Sequence, residues 1–163
     1  AAAGFVQQHK EAAATAEKTT GIPASFMIAQ AAHETGWGRK EIKHTDGTPA
    51  YNLFGIKAGS NWNGPTADVT TTEYIGGQAR KVVQKFRAYS SYAESFADYA
   101  QLMKNNPRYA KVVAAGSNAQ GFAQGLQRAG YATDPAYADK LTRVINTTLR
   151  MQRAALQPQQ TLA

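Results

Sequence analysis

The stretch Gln30–Ala31–Ala32–His33–Glu34–Thr35–Gly36–Trp37–Gly38 decides how the rest of the chain is read. It closes an apolar run, Pro23–Ala24–Ser25–Phe26–Met27–Ile28–Ala29, which predicts a short helix buried on nearly every side. Pro23 suits the first helical position, where a missing N–H leaves no hydrogen bond unmade. Gly36 and Gly38 follow, residues able to take the left-handed conformation that ends a helix. Glu34 therefore falls in the last turn of a buried helix. Desolvation and the negative end of the helix dipole both disfavour a carboxylate there. A carboxyl that keeps its proton near neutral pH is what a general acid needs. The plainer alternative is a surface glutamate at a frayed helix end.

Outward from that helix the chain is mostly helical. Phe5–Thr19 reads as an Ala-rich amphipathic helix with Glu11 and Glu17 on its polar face. After a polar loop with an Asp46–Gly47 turn comes a short apolar stretch, Tyr51–Asn52–Leu53–Phe54–Gly55–Ile56–Lys57. The β-branched run Asp68–Ile75, a Gly76–Gly77 turn and the return Arg80–Arg87 predict a hairpin, a β-lobe at about 66–88, with Glu73 near the end of its first strand. Ser91–Tyr92–Ala93–Glu94 is a capping-box pattern opening another helix. Further helices are expected from Pro107, over Ala119–Ala129, and from Asp134–Pro135 onward, with a frayed tail from Gln157. The expectation is one α+β domain over residues 1–163, mainly α, with a small β element near its middle.

Composition limits the chemistry. The chain has no cysteine, which excludes disulfides, thiolate metal sites and a cysteine nucleophile. Ala1–Gly4 lacks the basic start and apolar middle of a signal peptide, so the chain reads as a mature form or an excised domain and secretion stays open. Eighteen Lys and Arg against eleven Asp and Glu give a formal charge of +7, which suits an anionic polymer: nucleic acid, a lipid surface or an acidic glycan. Only Arg80, Lys81, Lys85 and Arg87 cluster, so no nucleic-acid arm stands out. No run is apolar and long enough for a membrane span, and neither nucleic acid nor membrane is the expected partner.

The eleven carboxylates sort by elimination. Glu11 and Glu17 belong to a solvated face, Glu94 to the capping box and Asp134 to a helix start. Asp98 and Asp139 read as exposed helix charges. Of the remainder, only Glu34 and Glu73 combine apolar neighbours with a defined element. Two carboxylates on opposite lobes of a cleft are the minimum equipment for glycoside hydrolysis. Glu73 has its own plain reading, a strand residue facing solvent or pairing with Lys81. His33–Glu34 lacks a second histidine four residues on, because Trp37 stands there, so the zinc-helix motif is not present. His33 reads as a packed histidine, and no cofactor or metal is expected. Flat rings stack on sugar faces, which makes Trp37, Phe54, Trp62, Tyr74, Tyr131 and Tyr137 candidates. Tyr131 follows Gly130 on a loop between helices rather than on a core stripe. Asn52, Phe54, Trp62 and Tyr137 are taken as the substrate contacts.

Residues 30–38, 51–57, Thr71–Thr72–Glu73–Tyr74 and Gly130–Tyr131–Ala132–Thr133–Asp134–Pro135–Ala136–Tyr137–Ala138, in this order, resemble glycoside hydrolase family 73, the bacterial endo-β-N-acetylglucosaminidases. The resemblance covers about Phe5 to Arg150. It implies a lysozyme-like two-lobed fold, an α-lobe and a small β-hairpin lobe flanking the cleft. It carries the general acid onto Glu34, the second carboxylate onto Glu73, and Tyr131 to a place beside Glu34. His33 and Thr35 depart from the apolar residue and serine that relatives often show. The implied substrate is peptidoglycan, cut between N-acetylglucosamine and N-acetylmuramic acid by a monomer in the periplasm or, alternatively, secreted to the cell wall. Some members are flagellar, and contact with flagellar rod components would use a region outside this sequence. The competing readings are a lytic transglycosylase, a muramidase-type cut of the same glycan, and a non-catalytic glycan-binding module.

Overall fold

The computed structural model describes residues 1–156; the tail from Gln157 and the side chain of Tyr74 lie outside the described residues. Helix α1 spans Ala2–Thr20 and α2 spans Ala24–Thr35. The strands β1 (Thr66–Ile75) and β2 (Gln78–Arg87) follow, then α3 (Tyr92–Asn105), a 3-10 turn (Pro107–Tyr109), α4 (Ala110–Ala114), α5 (Ala119–Arg128) and α6 (Tyr137–Leu156).

Helix α2 is the axis of the α-lobe. Every residue from Phe26 to Ala32 is buried, because α1 and α6 pack against it. Burying each large apolar side chain such as Met27 or Ile28 contributes about 1.5–3 kcal/mol. Pro23 stands one place earlier than expected, at the cap position (φ −55°, ψ 135°), and its carbonyl accepts from the Phe26 N–H at 3.0 Å. Glu17 is more than a solvated charge: its carboxylate accepts the Ala24 N–H at 2.7 Å, satisfying one of the free donors at the start of α2. Gly36 ends the helix in the left-handed conformation (φ 58°), where a side chain would be strained, and its N–H bonds the Ala32 carbonyl. Around this axis Phe54 stacks on Tyr99 with ring centroids 4.0 Å apart, and Phe26 meets Phe122 at 5.3 Å.

The hairpin is the expected β-lobe, an antiparallel pair with Glu73 opposite Arg80 and Thr72 opposite Lys81. Ala67, Val69, Thr71 and Glu73 face inward with Val82, Gln84 and Phe86, while Thr66, Asp68, Thr70 and Thr72 and, on β2, Lys81, Val83 and Lys85 are exposed. It is fastened at its base. The Arg87 N–H donates to the Ile56 carbonyl at 3.0 Å and the Ala58 N–H to the Lys85 carbonyl at 2.9 Å. The Arg87 guanidinium meets Asp98 of α3 at 2.9 Å, and the Tyr89 hydroxyl donates to the same carboxylate oxygen. Asp98 is thus no exposed helix charge: it is half-buried and ties the two lobes together.

At the other helix starts, Ser91 Oγ accepts the Glu94 N–H at 3.2 Å. The Glu94 carboxylate returns to Ser90 rather than Ser91, a shifted form of the expected box. Helix α6 begins at Tyr137, with Asp134 Oδ1 accepting the Ala136 N–H at 2.8 Å just before it.

Candidate active site

Glu34 occupies the last turn of α2, half-buried. Its Oε1 accepts from the Tyr137 hydroxyl at 3.1 Å. Its Oε2 points toward Gly55, where an added Cβ would lie only 3.3 Å away; the φ of +64° there also favours glycine. Burial lifts the carboxyl from its ordinary 4.5 to about 7, and the Tyr137 hydrogen bond offsets only part of that rise. Glu34 therefore holds its proton over much of the neutral range. His33 packs edge-on against the same Tyr137, with ring centroids 5.3 Å apart. Burial and then Lys140 lower its pKa, against a smaller pull from Asp134, so it places no cation beside the acid.

A cavity of about 540 Å³ lies between the lobes, with Glu73 from β1 in one wall and Gly55, Tyr109 and Tyr131 in the other. Glu34 is not itself in the lining; it reaches the cavity wall through Gly55. Glu73 is half-buried and accepts a long 3.4 Å hydrogen bond from Gln84 Nε2. It does not pair with Lys81, which stands opposite Thr72.

The other expected contacts divide. Tyr131 lines the cavity, but its hydroxyl donates to the Phe54 carbonyl rather than to Glu34, so it offers the cleft mainly its ring. Tyr137, expected on the sugar, is only 2% exposed and is the residue that touches Glu34. Asn52 and Phe54 offer a ligand nothing, at 2% and 0% exposure. Asn52 organises the 52–56 loop instead: its Nδ2 donates to the Ile56 and Arg87 carbonyls at 2.9 Å, and its Oδ1 accepts from Phe54 N and Ile56 N. Phe54 belongs to the core stack on Tyr99. Trp62 lies at the hairpin base, its Nε1 donating to the Pro65 carbonyl at 2.9 Å and its ring under the Arg87 guanidinium at 4.7 Å.

Three features escaped sequence reasoning: Gly55 against the acid, Arg108 at the cleft, and the buried pair Gln30 and Tyr99 behind it. Gln30 carried a readable signal, as a long polar side chain within the apolar run, four residues before Glu34. Among the described residues no group of three or more His, Cys, Asp or Glu is placed to hold a metal ion.

The model of the glucosaminidase family, described as mannosyl-glycoprotein endo-beta-N-acetylglucosaminidase, matches residues 10–150. The chain belongs to this family. It is 53% identical over 141 residues to the peptidoglycan hydrolase FlgJ of Escherichia coli K12, which covers 86% of this chain and 45% of that protein. The chain thus spans about half the length of the curated relatives it matches first. A crystal structure of a peptidoglycan hydrolase from Sphingomonas sp. A1 superposes with a TM-score of 0.83 at 48% identity, covering 99% of both chains. The glycoside hydrolase domain of Salmonella typhimurium FlgJ superposes with a TM-score of 0.77 at 42% identity, covering 95% of this chain and 92% of that one. As a member of the glucosaminidase family the chain is a glycoside hydrolase, with the expected α-lobe and β-hairpin lobe on either side of a cleft.

Proposed function

We propose that the chain hydrolyses peptidoglycan at the β-1,4 bond between N-acetylglucosaminyl and N-acetylmuramyl residues. One observation carries this reading: a carboxyl raised to about pH 7, held on one oxygen by Tyr137, at a cleft whose other lobe presents Glu73. Glu34 delivers its proton to the glycosidic oxygen as the bond from that oxygen to the anomeric carbon breaks. The bonding pair leaves with the oxygen, which becomes the free 4-hydroxyl of the muramyl residue. The electron-poor anomeric carbon then takes the oxygen of a water whose proton passes to Glu73. If the substrate's own acetamido oxygen attacks first, Glu73 orients that group and steadies the positive charge. Tyr131 flanks the sugar with its ring.

The exposed Arg80, Lys81 and Lys85 of β2 suit the anionic wall, whereas Arg87 is committed to Asp98. The FlgJ relatives and their wall substrate extend the proposal to action outside the cytoplasm, in the periplasm, in a flagellar setting. A lytic transglycosylase needs a single acid/base carboxyl, so Glu73 in the cleft favours hydrolysis. Analysis of sugar ends after digestion of purified walls tests the reading. New reducing N-acetylglucosamine supports it. Reducing muramic acid or anhydromuramyl ends would replace it with one of the other two cuts, and binding without cleavage would leave a glycan-binding module.

A further inference from the structure

Behind Glu34 runs a line of buried polar groups that the proposed chemistry does not use. Gln30 stands one helical turn before Glu34 on α2, fully buried, and it lies between two phenols. The Tyr99 hydroxyl, from α3, donates to Gln30 Oε1. Gln30 Nε2 donates to the Tyr137 hydroxyl of α6 at 3.3 Å, and that hydroxyl donates to Glu34 Oε1 at 3.1 Å. Gln30, Tyr99 and Tyr137 are 0%, 0% and 2% exposed, so bulk water does not compete for the bonds among them.

The direction of the line matters more than its existence. A phenol has one proton and the glutamine amide has one oxygen, so the amide has two orientations with opposite consequences. In the orientation seen, Tyr137 receives a proton from Gln30 and its own proton is left for Glu34 Oε1. The acid proton of Glu34 must then sit on Oε2, the oxygen toward Gly55 and the cleft. With the amide reversed, Tyr137 would give its proton to Gln30, and Glu34 would turn its proton to the tyrosine on Oε1. Reversal also leaves the Tyr99 proton without an acceptor in a dry interior, which costs more than either hydrogen bond contributes. Tyr99 thereby sets the amide, the amide sets Tyr137, and Tyr137 sets the acid.

We propose that Gln30 and Tyr99 are positioning residues for the reaction, fixing the hydrogen-bond direction of Tyr137 so that the acid proton of Glu34 stands on the oxygen nearest the substrate. The proposal rests on the reading of Glu34 as the acid. The groups facing Glu34 are Tyr137 from α6, Tyr99 from α3, Tyr131 from the loop after α5 and, on its own helix, the neutral His33. No lysine or arginine adds to the balance, which leaves hydrogen-bond direction as the adjustable quantity.

The test is the pH profile of wall hydrolysis for Tyr99→Phe and Gln30→Met, beside Tyr137→Phe and Glu34→Gln. Each relay variant should lower kcat about fivefold or more, as expected for one misdirected hydrogen bond, with KM within about twofold. Glu34 loses a donor to its charged form, so the alkaline limb should move upward, by about half a pH unit. Tyr99→Phe removes a single oxygen and remains informative if Gln30→Met does not fold. Normal kcat, or a lower kcat on an unmoved alkaline limb, in folded Tyr99→Phe would overturn the proposal. Full activity of Glu34→Gln would instead overturn the assignment of the acid, and the two failures are thereby told apart.

Discussion

The two lobes hold their carboxyls in opposite ways. Glu34 rides on a helix whose neighbours are buried from Phe26 to Ala32, with a tyrosine on one oxygen and a glycine against the other. Glu73 rides on a two-stranded hairpin that leaves Ile75 51% and Val83 64% exposed and, among the described residues, is tied to the rest of the chain near its base. The first arrangement gives a fixed position and a perturbed proton; the second gives a carboxylate that accepts, among the described residues, one long bond from Gln84. On the proposed function this contrast is a division of labour: the α-lobe would supply an acid set in advance, and the β-lobe would bring its partner to the glycan.

The sharpest way to break that contrast is to remove each carboxyl. Glu34→Gln keeps the shape but has no proton to give, and wall lysis should fall by about a hundredfold or more. Glu73→Ala should also be severely impaired, with melting within a few degrees of the parent because the bond to Gln84 is a long one. Azide added to that variant should restore turnover through an α-azide if the carboxylate serves as base. Full activity of Glu73→Ala without azide would make it an ordinary strand residue and end the comparison.

Smaller effects probe the join and the wall. Asp98→Ala strips Arg87 and Tyr89 of their shared acceptor, so the hairpin base should loosen and stability fall by about 2 kcal/mol. Thermal melting, together with faster amide exchange confined to residues 66–87, would show it. Tyr131→Phe releases one carbonyl, that of Phe54, and should lower stability by about 1 kcal/mol while keeping most of the ring's contribution to turnover. A collapse of activity in Tyr131→Phe would show that the hydroxyl, not the ring, meets the substrate.

These contrasts also explain what the sequence made legible. The buried helix and the hairpin were readable because each declares itself locally, by an apolar run closed with glycine and by β-branched residues around Gly76–Gly77. Glu34 and Glu73 stood out as candidates because so few other carboxyls lacked a local explanation. Roles that depend on distant partners could not be read. Tyr99 and Tyr137 meet Gln30 across 69 and 107 residues of chain. Asn52 and Phe54 show the same limit from the other side. A polar or aromatic residue in a short apolar stretch looks alike whether its partner is a sugar or, as here, backbone carbonyls and the Tyr99 ring. Asp98 was misread because its partner Arg87 lies on a strand of the other lobe.

The central claim is that folding makes Glu34 hold its proton, and linkage gives that claim a sign. Its pKa rises from 4.5 to about 7, so the folded chain binds the extra proton between those values. Its contribution to stability is whole below about pH 4.5 and is lost as pH rises through 7, a difference of at most about 3 kcal/mol. Glu34→Gln should accordingly be more stable than the parent at pH 8 and no more stable at pH 4. The most direct measurement is the titration of the Glu34 side-chain carboxyl by carbon NMR, assigned by its disappearance in Glu34→Gln. A midpoint near 7 is the predicted result. A midpoint near the ordinary 4.5 would mean that Glu34 is ionised when substrate arrives, and the account of the acid would be wrong.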